Sequence, residues 1–137
     1  LREPRLHRAF GVVSEPGLSG LLASGARDWG RYIVETGVPN LRLIPAGATP
    51  ADPLGLLDTR QMAHLIEELK AQADVILVNA PPVLQVADAS SLATHLDGAV
   101  LALESRRTQR DTAARALEVL RASHAQVIGV VLNKVRR

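Results

Sequence analysis

Residues 99–132, AVLALESRRTQRDTAARALEVLRASHAQVIGVVL, contain two apolar runs separated by a segment with helical periodicity. The runs, 99–103 and 127–132, are apolar at consecutive positions, which is typical of strands buried on both faces of a parallel sheet. The segment between them has an apolar stripe at helical spacing, made by Ala113, Ala116, Leu117 and Leu120. We therefore predict a strand, a helix over 108–124, and a second strand parallel to the first.

The same alternation extends towards the amino end of the chain. Apolar runs at 41–44 and 75–78 are each followed by proline, and the segments 59–73 and 86–96 have helical character. We predict that all four runs form a mostly parallel sheet with helices on both faces, so the fold class is α/β. Short helices are expected at 18–24 and 28–35.

Two residues are predicted to cap helices. Asp58 stands three residues before Gln61, and Thr108 stands three residues before Asp111. Both spacings are typical of a helix amino terminus.

Length and composition restrict the class of protein. The 137 residues suit a single domain, 1–137, with 47% apolar residues and no run near the ~18 needed to cross a membrane. The absence of cysteine excludes thiolate metal sites. Aromatic residues make up only 2% and the formal net charge is +2, so a nucleic-acid partner is not expected.

A ligand site is expected where the parallel strands end, because ligands of such sheets bind outside the carboxyl ends of the strands. The segments that follow the four runs are 47–49, 80–82, 105–107 and 134–136, and we predict that all four share one edge. Two of them carry Arg or Lys. These Arg and Lys residues either bind an anionic ligand or only increase the solubility of the chain.

Several segments, in chain order, carry a likeness to one family: 1–11 (LREPRLHRAFG), 15–22 (EPGLSGLL), 44–47 (IPAG) with 50–53 (PADP), 75–82 (VILVNAPP) with 87–89 (ADA), and 129–133 (GVVLN). Together they resemble the cytoplasmic kinase domain of bacterial tyrosine kinases (BY-kinases) of capsular and exopolysaccharide assembly. That family belongs to the deviant-Walker P-loop ATPases, near MinD and ParA.

The resemblance implies a P-loop NTPase-like fold, ATP and Mg²⁺ as cofactors, and a tyrosine autokinase activity that regulates polysaccharide chain length and export. It also implies a cytoplasmic location, at the inner face of the plasma membrane through a partner. The implied partners are further copies of the chain or a membrane polysaccharide co-polymerase.

The P-loop motif itself does not occur in these residues. Neither Lys70 nor Lys134 follows a Gly-x-x-x-x-Gly sequence. In the family, the P-loop and an Asp pair lie upstream of the position that matches Leu1, so the chain resembles the carboxy-terminal part of the domain. The family's P-loop strand is interior to its sheet, and an open apolar edge is expected without it.

The position of the Walker B aspartate is also altered. Asn79 stands there, and a neutral amide is a weaker ligand for Mg²⁺ than a carboxylate. Asp88 is the nearest remaining acid, so these two residues are the candidate metal ligands. The alternatives are a structural role at a strand end for Asn79 and a helix-start role for Asp88.

A nucleotide would meet a different set of residues. Asn133 matches a family position that resembles an adenine-reading amide, or it is a turn residue after the strand. The other candidate nucleotide-binding residues are Arg2, Arg106 and Arg107. Glu104 places a negative charge where the family favours Arg, which disfavours phosphate.

No catalytic residue is predicted, and we expect the chain by itself to be inactive as a kinase because phosphoryl transfer needs a phosphate cradle and metal-binding acids. Two alternatives stay open. One is a non-catalytic interaction module that docks a kinase or a membrane co-polymerase subunit. The other is part of a MinD/ParA-type ATPase, although the 15–19 and 45–47 segments favour the kinase branch.

Overall fold

Residues 1–26 and 28–135 are described by a computed structural model, in which the chain divides into two units, Leu1–Met62 and Ala63–Arg137. The single domain expected from the sequence stays a prediction. The helices and strands of the first unit are α1 (Leu6–Ala9), α2 (Leu18–Ser24), a 3₁₀ turn (Gly30–Tyr32), β1 (Val34–Glu35), β2 (Arg42–Leu43) and α3 (Pro53–Leu57). Helix α4 (Arg60–Lys70) crosses the boundary between the units.

Helix α2 has the predicted bounds. It ends at Gly25, whose φ of 60° is the left-handed conformation that terminates many helices and that glycine adopts without a steric penalty. Its buried apolar residues are Leu21 and Leu22. The apolar positions therefore give this short helix a packed face, although it has no side-chain cap.

Strands β1 and β2 form an antiparallel hairpin, with Val34 opposite Leu43 and Glu35 opposite Arg42. This corrects two predictions, the helix over 28–35 and the parallel strand at 41–44. The connection is only six residues long, whereas a parallel crossover needs about a dozen. Gly37 and Asn40, with φ of 74° and 62°, allow the chain to reverse within it.

The second unit contains α5 (Asp88–Ala93), β3 (Ala99–Glu104), α6 (Arg110–Ala122) and β4 (Val127–Asn133). Strands β3 and β4 pair in parallel, with a register from Ala99 opposite Val127 to Glu104 opposite Asn133. A buried cluster of Ala93, Leu120 and Ala125 packs against partly buried residues of both strands, including Leu101 and Val127. The predicted strand–helix–strand unit is confirmed.

The run 75–78 does not form a strand in the described part of the chain, which corrects a second strand of the predicted sheet. No backbone hydrogen bond joins it to another described segment. Val75 and Leu77 are 72% and 87% exposed. An apolar run becomes a strand only when a neighbouring strand supplies hydrogen bonds, and no described segment does so here.

The three helices predicted at 59–73, 86–96 and 108–124 are present but shorter than predicted: they span Arg60–Lys70, Asp88–Ala93 and Arg110–Ala122. The predicted segments included turn residues at both ends, where helical hydrogen bonding stops.

Both predicted helix caps are wrong. At the start of α4, Thr59 Oγ1 accepts a hydrogen bond from the Met62 N–H at 3.2 Å, while Asp58 ends the preceding helix α3. At the start of α6 the cap position is Gln109. The Thr108 hydroxyl instead accepts the Glu104 N–H at 3.1 Å.

Candidate functional site

The carboxyl ends of β3 and β4 form the candidate site. Glu104 and Asn133 are register partners at these ends, and the Ser105 N–H donates to the Asn133 carbonyl at 2.9 Å. Because the strands are parallel, the segments 105–107 and 134 leave from the same edge of the pair. The prediction of a shared edge is therefore confirmed for these two segments.

The other segments do not fit that prediction. Residues 47–49 lie in the first unit, after a strand that pairs antiparallel, and residues 80–82 follow a run that forms no strand. Arg136, also part of the predicted edge, lies outside the described residues.

Glu104 is at the centre of the charges on this edge. Lys134 Nζ donates to Glu104 Oε1 at 2.9 Å, and Arg107 Nη1 lies 3.6 Å from Glu104 Oε2. The hydrogen bond from Lys134 is the main cause that holds the pKa of Glu104 below its ordinary value, and it outweighs the opposing effect of burial. Two cations of the predicted anion site are thus paired with a carboxylate of the same chain.

The turn after β3 presents the arginines to solvent. The N–H groups of Arg107 and Thr108 both donate to the Glu104 carbonyl, at 3.2 and 3.0 Å. Arg106 sits within this turn at a φ of 63° and is exposed. Arg106 therefore lies within a hydrogen-bonded turn and has a side chain accessible to an anion.

Asn133 is exposed, and part of its hydrogen-bonding capacity is already used. Its Oδ1 accepts the N–H of Lys134 at 2.7 Å. This bond orients the amide at the end of β4, and Lys134 adopts a left-handed φ of 55° directly after it. The arrangement has the form of a turn after the strand, and it leaves the amide at the edge where a ligand of such a sheet would lie.

The two candidate metal ligands have different surroundings. Asn79 is exposed. Asp88, the first residue of α5, is only 1% exposed and interacts with another group. In residues 1–26 and 28–135 no group of three or more His, Asp or Glu could hold a metal ion. Asn79 offers a neutral amide and the Asp88 carboxylate is buried, so these two candidate ligands do not by themselves fit a Mg²⁺ site.

Arg2, the remaining candidate nucleotide-binding residue, lies in the first unit and is exposed. Sequence reasoning missed the Glu104–Lys134 ion pair, because the two residues are 30 positions apart. The signal that could have revealed this ion pair is the predicted parallel pairing of the two runs, which places their ends side by side. In the described ranges, no helix combines the length and the apolar character that a membrane crossing requires.

Comparison with known proteins gives a consistent set of relatives, although no protein-family model matches the chain. It is 37% identical over 128 residues to the tyrosine-protein kinase CpsD of Streptococcus agalactiae, an alignment that covers 93% of this chain and 55% of CpsD. It is 31% identical over 133 residues to the tyrosine-protein kinase YwqD of Bacillus subtilis, covering 97% of this chain and 56% of YwqD. The chain thus spans about half the length of the curated relatives it matches.

Solved structures agree with this result. The crystal structure of the chimeric protein CapA2B2 matches 99% of this chain with a TM-score of 0.92 and 27% identity, and the chain covers 60% of it. The kinase domain of the Escherichia coli tyrosine kinase ETK matches 98% with a TM-score of 0.92 and 25% identity, and the chain covers 53% of it. These matches confirm the predicted α/β, P-loop NTPase-like fold class.

Proposed function

We propose that the chain forms part of a kinase-type nucleotide-binding domain in capsular or exopolysaccharide assembly. The premise is that its homologues are bacterial tyrosine-protein kinases and that its structural neighbours are kinase domains of that type. The observation that carries this proposal is the alignment over 93% of the chain at 37% identity.

In this function, the edge at the ends of β3 and β4 faces the nucleotide. The Asn133 amide lies towards the adenine edge, since an amide can both donate to and accept from a base. Arg106 and Arg107 are the cations that would approach the phosphates, because guanidinium groups match phosphate geometry. Arg2, in the first unit, is proposed separately as a nucleotide-binding residue. The support is the position of Asn133, Arg106 and Arg107 at one end of a parallel strand pair.

We propose further that the 137 residues by themselves neither hydrolyse ATP nor phosphorylate tyrosine. Phosphoryl transfer requires cations that neutralise the phosphates and carboxylates that hold Mg²⁺. Here Lys134 and Arg107 are paired with Glu104. At the metal position the chain offers the amide of Asn79, and the Asp88 carboxylate is buried.

The test is a calorimetric titration of ATP, with and without Mg²⁺, into the purified chain, together with an assay of ATP hydrolysis. We expect no Mg²⁺-dependent binding and no turnover above a buffer blank. The Asn79→Asp variant is the matched comparison, and it should behave like the parent because one added carboxylate does not supply a phosphate cradle. Turnover by a preparation free of host kinases would overturn this part of the proposal.

The proposed location is cytoplasmic, with self-association or a membrane polysaccharide co-polymerase as the partner. Light scattering over a range of protein concentrations tests the first, and titration with the purified cytoplasmic segment of a co-polymerase tests the second.

A non-catalytic interaction module is the second candidate function, and an uncovered sheet face favours it. Leu101 packs towards the buried cluster, so Val100 and Ala102 point to the opposite face of the strand pair. Val100 and Val131 are 54% and 53% exposed there. Exposed apolar surface of this kind is typical of interaction sites.

This candidate predicts that Val131→Lys weakens binding of the co-polymerase segment, while Ala114→Lys, on an exposed position of α6, leaves it unchanged. Equal binding by the two variants would contradict it.

A further inference from the structure

A polar cleft in the first unit, separate from the residues discussed for the nucleotide, has a volume of about 650 Å³. This volume is within the range of small-molecule sites, roughly 300–1,000 Å³. Its walls come from the residues around α1, from Ser14 and Glu15, and from the loop 47–49.

The wall formed by that loop is firmly held. The Leu18 N–H donates to the Pro45 carbonyl at 2.8 Å, and the Ser19 N–H donates to the Ala46 carbonyl at 2.9 Å. Gly17 lies so close that a Cβ atom there would overlap the backbone of residues 45 and 47. The loop is therefore held against the start of α2 by backbone hydrogen bonds.

Two opposite charges line the cleft without forming a pair. Arg5 and Glu3 neutralise each other at 2.9 Å. In the part of the chain that the structure describes, neither Arg8 nor Glu15 has an ion-pair partner within 4.0 Å. The cleft thus offers one unneutralised guanidinium and one unneutralised carboxylate to a ligand.

The remaining lining is suited to hydrogen bonding. Ser14 and Thr49 contribute hydroxyl groups, and His7 has an Nδ1 that is buried without a hydrogen-bond partner among the described residues. The apolar lining consists of small side chains, and the imidazole of His7 is the aromatic ring among the described lining residues. These features favour a small, hydroxyl-rich anion over a lipid chain.

We propose that this cleft binds a phosphorylated sugar. The phosphate would lie on the side of Arg8, because guanidinium groups form strong, bidentate hydrogen bonds to phosphate. The sugar hydroxyls would donate to Glu15 and exchange hydrogen bonds with Ser14 and Thr49. This assignment does not depend on the proposed kinase-type function, since it uses none of the residues of that site.

The test is a titration of the full 137-residue chain with glucose 1-phosphate, followed by amide shifts in NMR spectra. Inorganic phosphate and glucose are titrated separately. We expect saturable shifts around residues 3–15 and 47–49 with glucose 1-phosphate, at lower ligand concentration than with either part alone. The absence of saturable shifts, or equal binding of inorganic phosphate, would overturn the proposal.

Two variants test the proposed roles of Arg8 and Glu15 in binding. Arg8→Gln should weaken glucose 1-phosphate binding about tenfold or more, the usual scale of a lost hydrogen bond to a charged group. Glu15→Gln should weaken glucose 1-phosphate but not inorganic phosphate. Arg121→Gln, at an exposed position of α6, is the control for total charge and should change neither. Unchanged binding in a folded Arg8→Gln variant, checked by its thermal transition, would contradict the assignment.

Discussion

Lys134 Nζ donates a 2.9 Å hydrogen bond to Glu104 Oε1, which joins the carboxyl ends of β4 and β3 across 30 residues of sequence. The edge at which a parallel sheet would bind an anion thus contains its own carboxylate. Arg107, 3.6 Å away, increases the positive charge around the same group. Two of the cations that suggested a phosphate site thus share one carboxylate of the same chain.

The first prediction concerns anion binding at this edge. In Glu104→Gln, Lys134 and Arg107 lose their common partner, so inorganic phosphate should bind there more tightly than in the parent. NMR shifts of the Lys134 and Arg106 amides during a phosphate titration report it. Glu118→Gln, an exposed change on α6, is the charge-matched control and should leave these shifts unaffected. Equal phosphate affinity in both variants would contradict the prediction.

The second prediction is the pH dependence of the same pair. The pKa of Glu104 is lowered from 4.5 in the folded chain, so the stabilisation is complete above that value and is lost as the pH falls through the folded pKa. The difference in unfolding free energy between the parent and Glu104→Gln should therefore be constant near neutral pH and shrink in acid. Urea denaturation over a series of pH values measures it. A difference that grows as the pH falls would show that folding raises the pKa of Glu104 instead of lowering it.

The third prediction separates two effects of glycine replacement. Gly47 and Gly37 both have left-handed φ values, 79° and 74°, but only at Gly47 would a Cβ meet another group, the Ser19 Oγ at 2.5 Å. Gly37→Ala should cost about 1–2 kcal/mol from the backbone conformation alone. Gly47→Ala should cost more, because Ser19 must also move. Chemical denaturation of the two variants tests the order, and equal losses would contradict it.

The fourth prediction is a core truncation. Leu120 is 5% exposed and belongs to the buried cluster that packs against β3 and β4. Leu120→Ala should lower the free energy of unfolding by about 2–5 kcal/mol, since it removes apolar contacts and leaves a cavity. The adjacent Val119 is 36% exposed, and Val119→Ala should have a much smaller effect. Similar losses in both variants would mean that α6 does not pack as described.

The fifth prediction tests the corrected cap of α4. Thr59→Ala removes the oxygen that accepts the Met62 N–H and should cost about 1 kcal/mol, within the 0.5–2 kcal/mol range of such caps. Asp58→Ala, at the residue expected from the sequence to cap this helix, should cost less. Thermal denaturation followed by circular dichroism compares them. The reverse order would restore Asp58 as the cap.

Local pattern predicted the strand–helix–strand unit of residues 99–132 and the positions of α2 and α4. In each of these segments the information is short-range: consecutive apolar residues mark the strands, and apolar residues three and four positions apart mark the helices. The likeness to tyrosine kinases was also visible in the sequence, because its motifs are short strings in a defined order.

The strand partners and the charge pairing were decided by the tertiary structure. Residues 75–78 are as apolar as β3 and β4, and residues 41–44 are apolar apart from Arg42. Yet 41–44 became part of an antiparallel hairpin, and 75–78 remained without a described partner. A strand forms only when hydrogen-bonding groups from another segment lie beside it, and that neighbour is not specified by the run itself. For the same reason the sequence shows Glu104 only as an isolated acid, whereas the register of β3 and β4 brings Lys134 within hydrogen-bond distance of its carboxylate.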